Sequence, residues 1–187
     1  EMSAALVHSI IEHLKSVHEL MAKHSVPNVI RLLSSNMSKR TVSLSPIGYL
    51  EPPKDPKELV TALLDILDAL IPMNRLKIMH RDLRWDNVLR YGAGGQKWFI
   101  IDFDDSAQLS KSGRACTLRQ ARDAKDLASA SHAPEICSST HGMKVDIWSI
   151  GYLIQTSHLS ICDELQKVKI DCMHFNPEER PTALVLH

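Results

Sequence analysis

The first apolar residues of the chain recur at steps of three and four positions. This stripe consists of Leu6, Ile10, Leu14, Val17 and Met21. Such spacing places the side chains on one face, so the pattern predicts an amphipathic helix of about four turns. Pro27 is expected to end it, because proline cannot continue a helix. Four histidines in this region are interpreted as solvated helix positions rather than metal ligands: His8, His13, His18 and His24.

Two short β-prone runs follow, "NVIRLL" at residues 28–33 and "RTVSLSPIGYL" at residues 40–50. The polar stretch between them favours a turn, so the runs are predicted to form an antiparallel pair. The proline-rich "EPPKDP" then breaks the chain, and Asp55 can cap a helix whose first turn accepts Pro56. That second helix has its own apolar face, formed by Leu59, Leu63, Ile66, Leu67 and Leu70.

Polar residues crowd the next stretch, "IMHRDLRWDN" at residues 78–87. The runs "VLRY" and "KWFIID" flank the turn "GAGG" and predict a hairpin, with Asn87 at the start of the first arm and Asp102 at the end of the second. The hairpin therefore sets Asn87 beside Asp102. An amide oxygen and a carboxylate suit Mg²⁺, which borrows further oxygens from a substrate phosphate. Asp82 is expected near the same ion without binding it, and Arg90 is expected at an exposed strand end.

Composition narrows the class of protein without choosing a function. Of the 187 residues, 44% are hydrophobic and 24% are charged, as in an ordinary globular chain with one sizeable core. The 22 basic and 22 acidic side chains cancel, so no overall field favours nucleic acid or an anionic membrane. No run could span a membrane and no secretory leader is visible, so we expect an intracellular protein, cytoplasmic or nuclear. The four cysteines are isolated and are interpreted as reduced thiols.

Several motifs stand in the order that one enzyme family has them. "HRDLRWDN" fits the catalytic-loop pattern H-R-D-L-x-x-x-N of protein kinases, and "IIDFDD" stands where that family has D-F-G. Ala133-Pro134-Glu135 matches A-P-E, and "KVDIWSIG" and "NPEERPTA" follow it. Upstream, "VPNVIRLL" resembles the segment after the helix of the small lobe. The chain thus resembles a protein kinase over nearly its whole length, and its motifs also resemble the kinase-like domains of Crinkler-type effectors.

The resemblance implies an α+β, protein-kinase-like fold with a mainly helical large lobe, a catalytic β-hairpin and a truncated small-lobe sheet. It divides the chain into a partial small lobe at residues 1–51, a hinge at 52–56 and a large lobe at 57–187. No glycine precedes Gly48, so no glycine-rich phosphate flap can form ahead of the first helix. The first lysine, Lys15, already lies within that helix. Either the chain begins partway into the small lobe or it is a reduced kinase-like domain.

Other departures from the family concern the partners of the phosphates and of the substrate. Glu12 and Glu19 are possible equivalents of the helix glutamate that pairs with the strand lysine of the family, but no strand lysine precedes them. Asp104 replaces the glycine of D-F-G and adds a carboxylate near the metal. Asp146 and Arg180 are closer in sequence than we expect for a full large lobe, so the helix that docks substrates is predicted to be trimmed.

The resemblance also implies catalytic and cofactor-binding roles. Asp82 would orient the substrate hydroxyl and accept its proton, and Arg84 would neutralise the moving phosphoryl group. Asn87 and Asp102 would hold Mg²⁺ against the phosphates of ATP. Arg81 would meet a phosphorylated or acidic residue of the activation segment. Its candidate partners are Ser110, Ser112, Thr117 and Ser129.

Five other residues are expected to have structural or regulatory roles. His80 belongs to the catalytic loop. Glu135 and Arg180 would form a buried ion pair. Asp146 would accept hydrogen bonds from the backbone of the catalytic loop, because a carboxylate in an apolar helix is costly to bury alone. Trp85 is interpreted as a packing residue.

Three functional classes stay open at this point. The first is a phosphotransferase that moves the γ-phosphate of ATP to a protein hydroxyl, on serine, threonine or tyrosine, and that is incomplete as this chain. The second is a catalytically inactive pseudokinase that binds a protein partner, favoured by the missing flap and strand lysine. The third is a small-molecule kinase of the aminoglycoside type, which A-P-E, "DIWSIG" and "NPEERP" argue against. No nucleic-acid or membrane partner is expected, and the oligomeric state is undecided.

Overall fold

The computed structural model describes residues 3–91, 97–109, 131–137 and 141–187. Its helices are α1 (Ala4–Lys23), α2 (Pro56–Arg75), α3 (Lys144–Thr156), α4 (Asp163–Cys172) and α5 (Ala183–Leu186). Its strands are β1 (Arg31–Asn36), β2 (Thr41–Ser45), β3 (Ile78–Met79), β4 (Val88–Tyr91), β5 (Lys97–Ile100) and β6 (Ala107–Gln108). The strands form three antiparallel pairs, β1 with β2, β3 with β6 and β4 with β5.

Helix α1 is longer than its apolar stripe predicts, with 20 residues. The side chain of Ser3 caps it by accepting a hydrogen bond from the Leu6 N–H at 3.2 Å. Leu6 is 41% exposed, so the stripe is buried only along the C-terminal half of the helix. The prediction that His18 is solvated is wrong: only 5% of this residue is exposed. His18 lies four positions after Leu14, on the buried face of the helix, and that face sets its environment.

Strands β1 and β2 form the predicted antiparallel pair, with Asn36 opposite Thr41 at the turn. The N–H of Ile30 donates to the carbonyl of Ile100 at 2.8 Å, just before β1 begins. After β2, Tyr49 and Arg90 exchange two backbone hydrogen bonds of 2.9 and 3.0 Å. These contacts attach the open end of the β1–β2 pair, away from its turn, to the β4–β5 hairpin.

Helix α2 begins where the sequence predicts. The Asp55 carboxylate accepts from the Glu58 N–H at 2.8 Å, which caps the helix, and Pro56 occupies its first turn. Every residue of the predicted apolar face is buried. Asp65, on the same helix, accepts from the Trp98 N–H at 2.9 Å and from Lys97 Nζ at 2.8 Å, and so ties β5 to α2.

The β4–β5 hairpin has the predicted pairing, with Val88 opposite Ile100, while its turn lies outside the described residues. The prediction that Arg90 is exposed is wrong. Its guanidinium donates to the Glu58 carboxylate at 3.1 and 3.4 Å and lies 5.4 Å from the centroid of the Trp98 ring. The reason is that the side chain reaches Glu58 in the first turn of α2 and lies over the ring of Trp98, its partner on β5.

Helix α3 is the most deeply buried element of the C-terminal part, and α4 packs closely against it. A Cβ atom on Gly151 would lie 2.5 Å from Met173 Cγ and 2.9 Å from the Lys169 carbonyl oxygen. The glycine therefore permits the close approach of the two helices. None of the helices in the described ranges is long and apolar enough to cross a membrane.

Candidate active site

The loop between β3 and β4 is held by a carboxylate that lies under it. The N–H groups of His80 and Arg81 each donate to one oxygen of Asp146, both at 2.8 Å. This is the contact expected from the sequence. Burial raises the pKa of the Asp146 carboxyl, while the two N–H groups favour its ionised form. Asp146 therefore fixes the backbone immediately before Asp82.

His80 connects this loop to the strand that leads to Asp102. Its Nδ1 accepts from the Asp82 N–H at 3.2 Å, and its Nε2 lies 2.8 Å from the Ile101 carbonyl oxygen. Because a carbonyl can only accept, Nε2 carries the proton and the ring is in one defined tautomer. The imidazole thus sets the separation between the backbones of Asp82 and Asp102.

Asn87 is joined directly to Asp82. Its Nδ2 donates to the Asp82 carbonyl oxygen at 2.8 Å and to Asp82 Oδ2 at 3.1 Å. Both partners are acceptors, so the amide nitrogen must face them and the amide oxygen must face the other way. Asn87 ends a 3-10 turn, and its carbonyl accepts from the Ile101 N–H at 3.0 Å. That bond brings Asp102, the next residue, to the same end of the hairpin as Asn87.

The donor set suits one particular kind of metal ion. Asp102 is exposed, with a positive φ of 62° just after β5, at the end of the hairpin where Asn87 precedes β4. In the part of the chain that the structure describes, no three His, Cys, Asp or Glu side chains could hold a metal together. Two hard oxygen donors fit Mg²⁺, which keeps waters and takes further oxygens from a phosphate. The residues therefore fit an ion that arrives with a nucleotide rather than a preformed metal centre.

Two arginines of the loop differ in their environment. Arg84 is exposed, with its guanidinium 3.7 Å from both Asp82 Oδ2 and Asp86 Oδ2. Arg81 is buried, and its Nε donates to the Asp105 carbonyl oxygen at 2.6 Å. The serines and the threonine proposed as partners of Arg81 lie outside the described residues, so that role stays a prediction.

Helix α1 contacts the site through two histidines whose contacts the sequence did not predict. The rings of His18 and His80 both stand edge-on to Phe103, with centroids 5.4 and 4.9 Å away. His13 Nε2 lies 3.0 Å from Ser106 Oγ, which in turn donates to the Phe103 carbonyl oxygen. Burial lowers the pKa of His18 from 6.5 to about 4, so its ring is neutral at pH 7. The position of His18 on the apolar face of α1 could have indicated that it is buried.

The acidic residues of α1 are exposed. Glu12 forms an ion pair with Lys15 on the same helix at 3.2 Å, and Glu19 is also exposed. Neither of these two helix glutamates takes part in the contacts with Phe103 and Ser106. The helix is held by ring contacts with Phe103 and by the His13–Ser106 hydrogen bond instead.

One further residue at the site was missed by the sequence analysis. His132 Nε2 lies 3.1 Å from Asp82 Oδ1, and both side chains are largely buried. Ser131 Oγ lies 2.9 Å from the other ring nitrogen of His132. The available signal was a histidine directly before the A-P-E triplet, in the segment that follows the catalytic hairpin.

The A-P-E segment is anchored by the ion pair expected from the sequence. Arg180 donates to both oxygens of Glu135, at 2.6 and 2.9 Å. Its side chain is completely buried, and it also donates to three backbone carbonyls. Trp85, interpreted as a packing residue, donates from its indole to the Leu153 carbonyl oxygen at 3.0 Å and stands edge-on to Trp98.

The hairpin, the loop held by Asp146 and the buried Glu135–Arg180 pair are the arrangement of a protein-kinase-like phosphotransferase. The sequence model of the protein kinase domain family matches residues 7–160, so the chain belongs to this family. The predicted fold class, α+β and protein-kinase-like, is confirmed. Enzymes of this family generally use ATP and Mg²⁺.

Among known proteins, Crinkler effector protein 8 of Phytophthora infestans is 29% identical over 176 residues, which cover 91% of this chain and 28% of that protein. The serine/threonine-protein kinase PAK 5 of Rattus norvegicus is 31% identical over 101 residues, 52% of this chain and 13% of that protein. Mitogen-activated protein kinase kinase kinase 1 of Homo sapiens is 23% identical over 216 residues, 93% of this chain and 14% of that protein. The chain spans less than a third of the length of each of these relatives.

Proposed function

We propose that this chain transfers the γ-phosphoryl group of ATP to a hydroxyl group of a protein substrate, with Mg²⁺ as the cofactor. The observation that carries the proposal is the direct link between Asn87 and Asp82, with hydrogen bonds of 2.8 and 3.1 Å. The side chain of Asn87 thereby connects the proposed metal site with the carboxylate of Asp82, which would act on the substrate. Phosphoryl transfer needs such positioning more than it needs covalent chemistry from the protein.

Each polar side chain of the site has a distinct task in this proposal. Asp82 orients the substrate hydroxyl and accepts its proton. Asn87 and Asp102 hold Mg²⁺, which neutralises charge on the phosphates when it is bound. Arg84, exposed beside Asp82, adds a positive charge next to the moving phosphoryl group. His80 and Asp146 keep the loop in the conformation that these tasks require.

The division of the chain into two lobes is part of the same proposal. Residues 1–51 correspond to part of a small lobe, 52–56 to a hinge and 57–187 to a large lobe. The cap formed by Asp55 places the start of α2 directly after the hinge, which supports this division. The nucleotide then lies between the β1–β2 pair and the catalytic loop.

A non-catalytic binding module is the second candidate. One observation favours it: the Glu12 carboxylate pairs with Lys15 of the same helix at 3.2 Å rather than with a lysine that grips the phosphates. The small-molecule kinase is disfavoured because the Glu135–Arg180 ion pair belongs to the protein-kinase arrangement.

Binding is tested by a thermal shift with ATP, in the presence and absence of Mg²⁺. The unaltered chain is expected to be stabilised more by ATP with Mg²⁺ than by ATP alone, because Asp102 binds the ion and not the nucleotide. Asp102→Asn should lose the Mg²⁺-dependent part and keep the melting temperature of the free protein. Asp163→Asn, an exposed carboxylate at the start of α4, is the matched control. An undiminished Mg²⁺ effect in Asp102→Asn would contradict the metal assignment.

Catalysis is tested by transfer of radiolabelled γ-phosphate to casein. Asp82→Asn should retain the ATP-dependent thermal shift and lose transfer by about 100-fold or more, because the carboxylate acts on the hydroxyl and not on ATP. If the unaltered chain binds ATP with Mg²⁺ but transfers no phosphate, the transfer activity proposed for this chain is wrong.

A further inference from the structure

The segment before A-P-E places a hydrogen-bonded pair of side chains against Asp82. His132 Nε2 lies 3.1 Å from Asp82 Oδ1, and the two side chains are 8% and 11% exposed. Ser131 Oγ lies 2.9 Å from His132 Nδ1. Three residues from two distant parts of the sequence therefore form one chain of hydrogen bonds that ends on the proposed catalytic base.

The chemistry of the partners fixes the direction of this chain. An ionised carboxylate can only accept, so Nε2 of His132 must carry a proton and donate it to Oδ1. In the neutral ring Nδ1 is then an acceptor, and the hydroxyl of Ser131 is the group that donates to it. The Asp82 carboxylate thereby sets the tautomer of His132, and Ser131 supports it by donating to Nδ1.

The contact with His132 completes the orientation of the carboxylate. Asn87 donates to Oδ2 at 3.1 Å and the Arg84 guanidinium lies 3.7 Å from the same oxygen, whereas His132 contacts Oδ1. A second donor on Oδ1 fixes the plane of the group. Each carboxylate oxygen has two lone pairs, so Oδ1 can accept from His132 and from a substrate hydroxyl at the same time. The contact therefore orients the base without blocking it.

The position of His132 is itself well supported. Glu135, three residues further on, is held by the buried guanidinium of Arg180 through two hydrogen bonds. Ala133 and Ile136 are buried, and the Ile136 N–H donates to the Ala133 carbonyl at 3.0 Å. The ion pair thus anchors the segment that presents His132 to the catalytic loop.

We propose that His132 is a positioning residue for Asp82, supported at Nδ1 by Ser131 and acting on the carboxylate oxygen that Asn87 does not contact. The proposal rests on the phosphoryl transfer proposed above. His132 contacts neither substrate nor nucleotide in this role, so its loss lowers the turnover number and leaves the Michaelis constant for ATP unchanged.

The test measures kcat and KM for ATP with casein as the phosphate acceptor. His132→Leu is expected to lower kcat by about 10-fold to 100-fold, the range for loss of a group that orients a reacting side chain. His132→Gln should restore most of the rate, because the amide nitrogen of glutamine can take the place of Nε2 as a donor. Ser131→Ala should lower kcat less than His132→Leu does. His24→Leu, on the exposed end of α1, is the control and should match the unaltered chain.

The outcomes separate this proposal from the function on which it rests. A His132→Leu variant that melts normally and is as fast as the unaltered chain, or faster, overturns the positioning role. If the unaltered chain transfers no phosphate, the proposed function fails, and NMR of ¹⁵N-labelled histidine decides whether His132 holds Asp82. A slowly exchanging Nε2–H of His132 that is lost in Asp82→Ala supports the contact, and its absence from the unaltered chain overturns it.

Discussion

Removing Arg180 should destabilise the protein more than removing any exposed arginine. The guanidinium makes five hydrogen bonds: two to Glu135 at 2.6 and 2.9 Å, and one each to the carbonyls of His174 at 2.8 Å, Lys144 at 2.9 Å and Phe175 at 3.4 Å. An arginine has five N–H donors in its guanidinium, so every one of them has a partner. Arg180→Ala would leave a carboxylate and three carbonyls without their donor.

The magnitude follows from the burial of the pair. The Arg180 side chain is 0% exposed and that of Glu135 is 17% exposed. Breaking a buried pair by removing one partner costs about 3 to 5 kcal/mol, because a charge is left uncompensated. For a chain of this size each kcal/mol lowers the melting temperature by about 2 to 4 °C, so the expected fall is about 6 to 20 °C.

Thermal and urea unfolding of three variants tests this reasoning. Arg180→Ala should show the full loss, and Arg180→Lys should lie between it and the unaltered chain, because an ammonium group cannot make the bidentate contact. Arg31→Ala, on an exposed position of β1, should change the free energy of unfolding by less than about 0.5 kcal/mol. Equal small effects for Arg180→Ala and Arg31→Ala would refute the argument that this pair anchors the A-P-E segment.

Substitutions of two other side chains should also change the free energy of unfolding. The pKa of His18 falls from 6.5 to about 4 on folding, so between these values the unfolded chain binds the extra proton. The free energy of unfolding is therefore not lowered by His18 above about pH 6.5. It falls as the pH drops toward 4, by about 3 kcal/mol at most. Urea unfolding at pH 7.5 and 4.5 should therefore show a smaller acid loss for His18→Phe, and an equal loss in both proteins would contradict the assignment. Arg90→Ala should cost roughly 1 to 2 kcal/mol through its contacts with Glu58 and Trp98, whereas an effect near zero would mean that this side chain is exposed after all.

Local sequence patterns predicted the elements that carry the site. The apolar face of α2, the cap at Asp55 and the two β-prone runs of the hairpin each depend on residues close together in the chain, and all three agree with the structure. The hairpin also brought Asn87 and Asp102 together, because the register of a two-stranded pair follows from its turn. The contact between Glu135 and Arg180 came from the resemblance to protein kinases, since no local pattern joins residues so far apart.

The contacts that the sequence did not predict all depend on tertiary packing. Arg90 was expected at an exposed strand end, but the position of α2 beside the strand encloses it. His18 was expected in solvent, although its place on the apolar face of α1 indicates burial. His132 lies 50 positions from Asp82, and only the folded A-P-E segment brings the two together. Polar residues are hard to assign from sequence because their environment, more than their chemistry, decides whether they face water or a partner.

The edge-on contacts of Phe103 with His18 and His80 couple the stability of helix α1 to the affinity of the site. Phe103 directly follows Asp102, so a ligand that immobilises Asp102 also restrains the ring on which α1 rests. Such coupling is reciprocal. If ligand binding stabilises the ordered form of α1, ordering of α1 raises the affinity for the ligand by the same free energy. Amide hydrogens along α1 should therefore exchange more slowly when the site is filled. Hydrogen exchange along α1 would then report whether a ligand occupies the site.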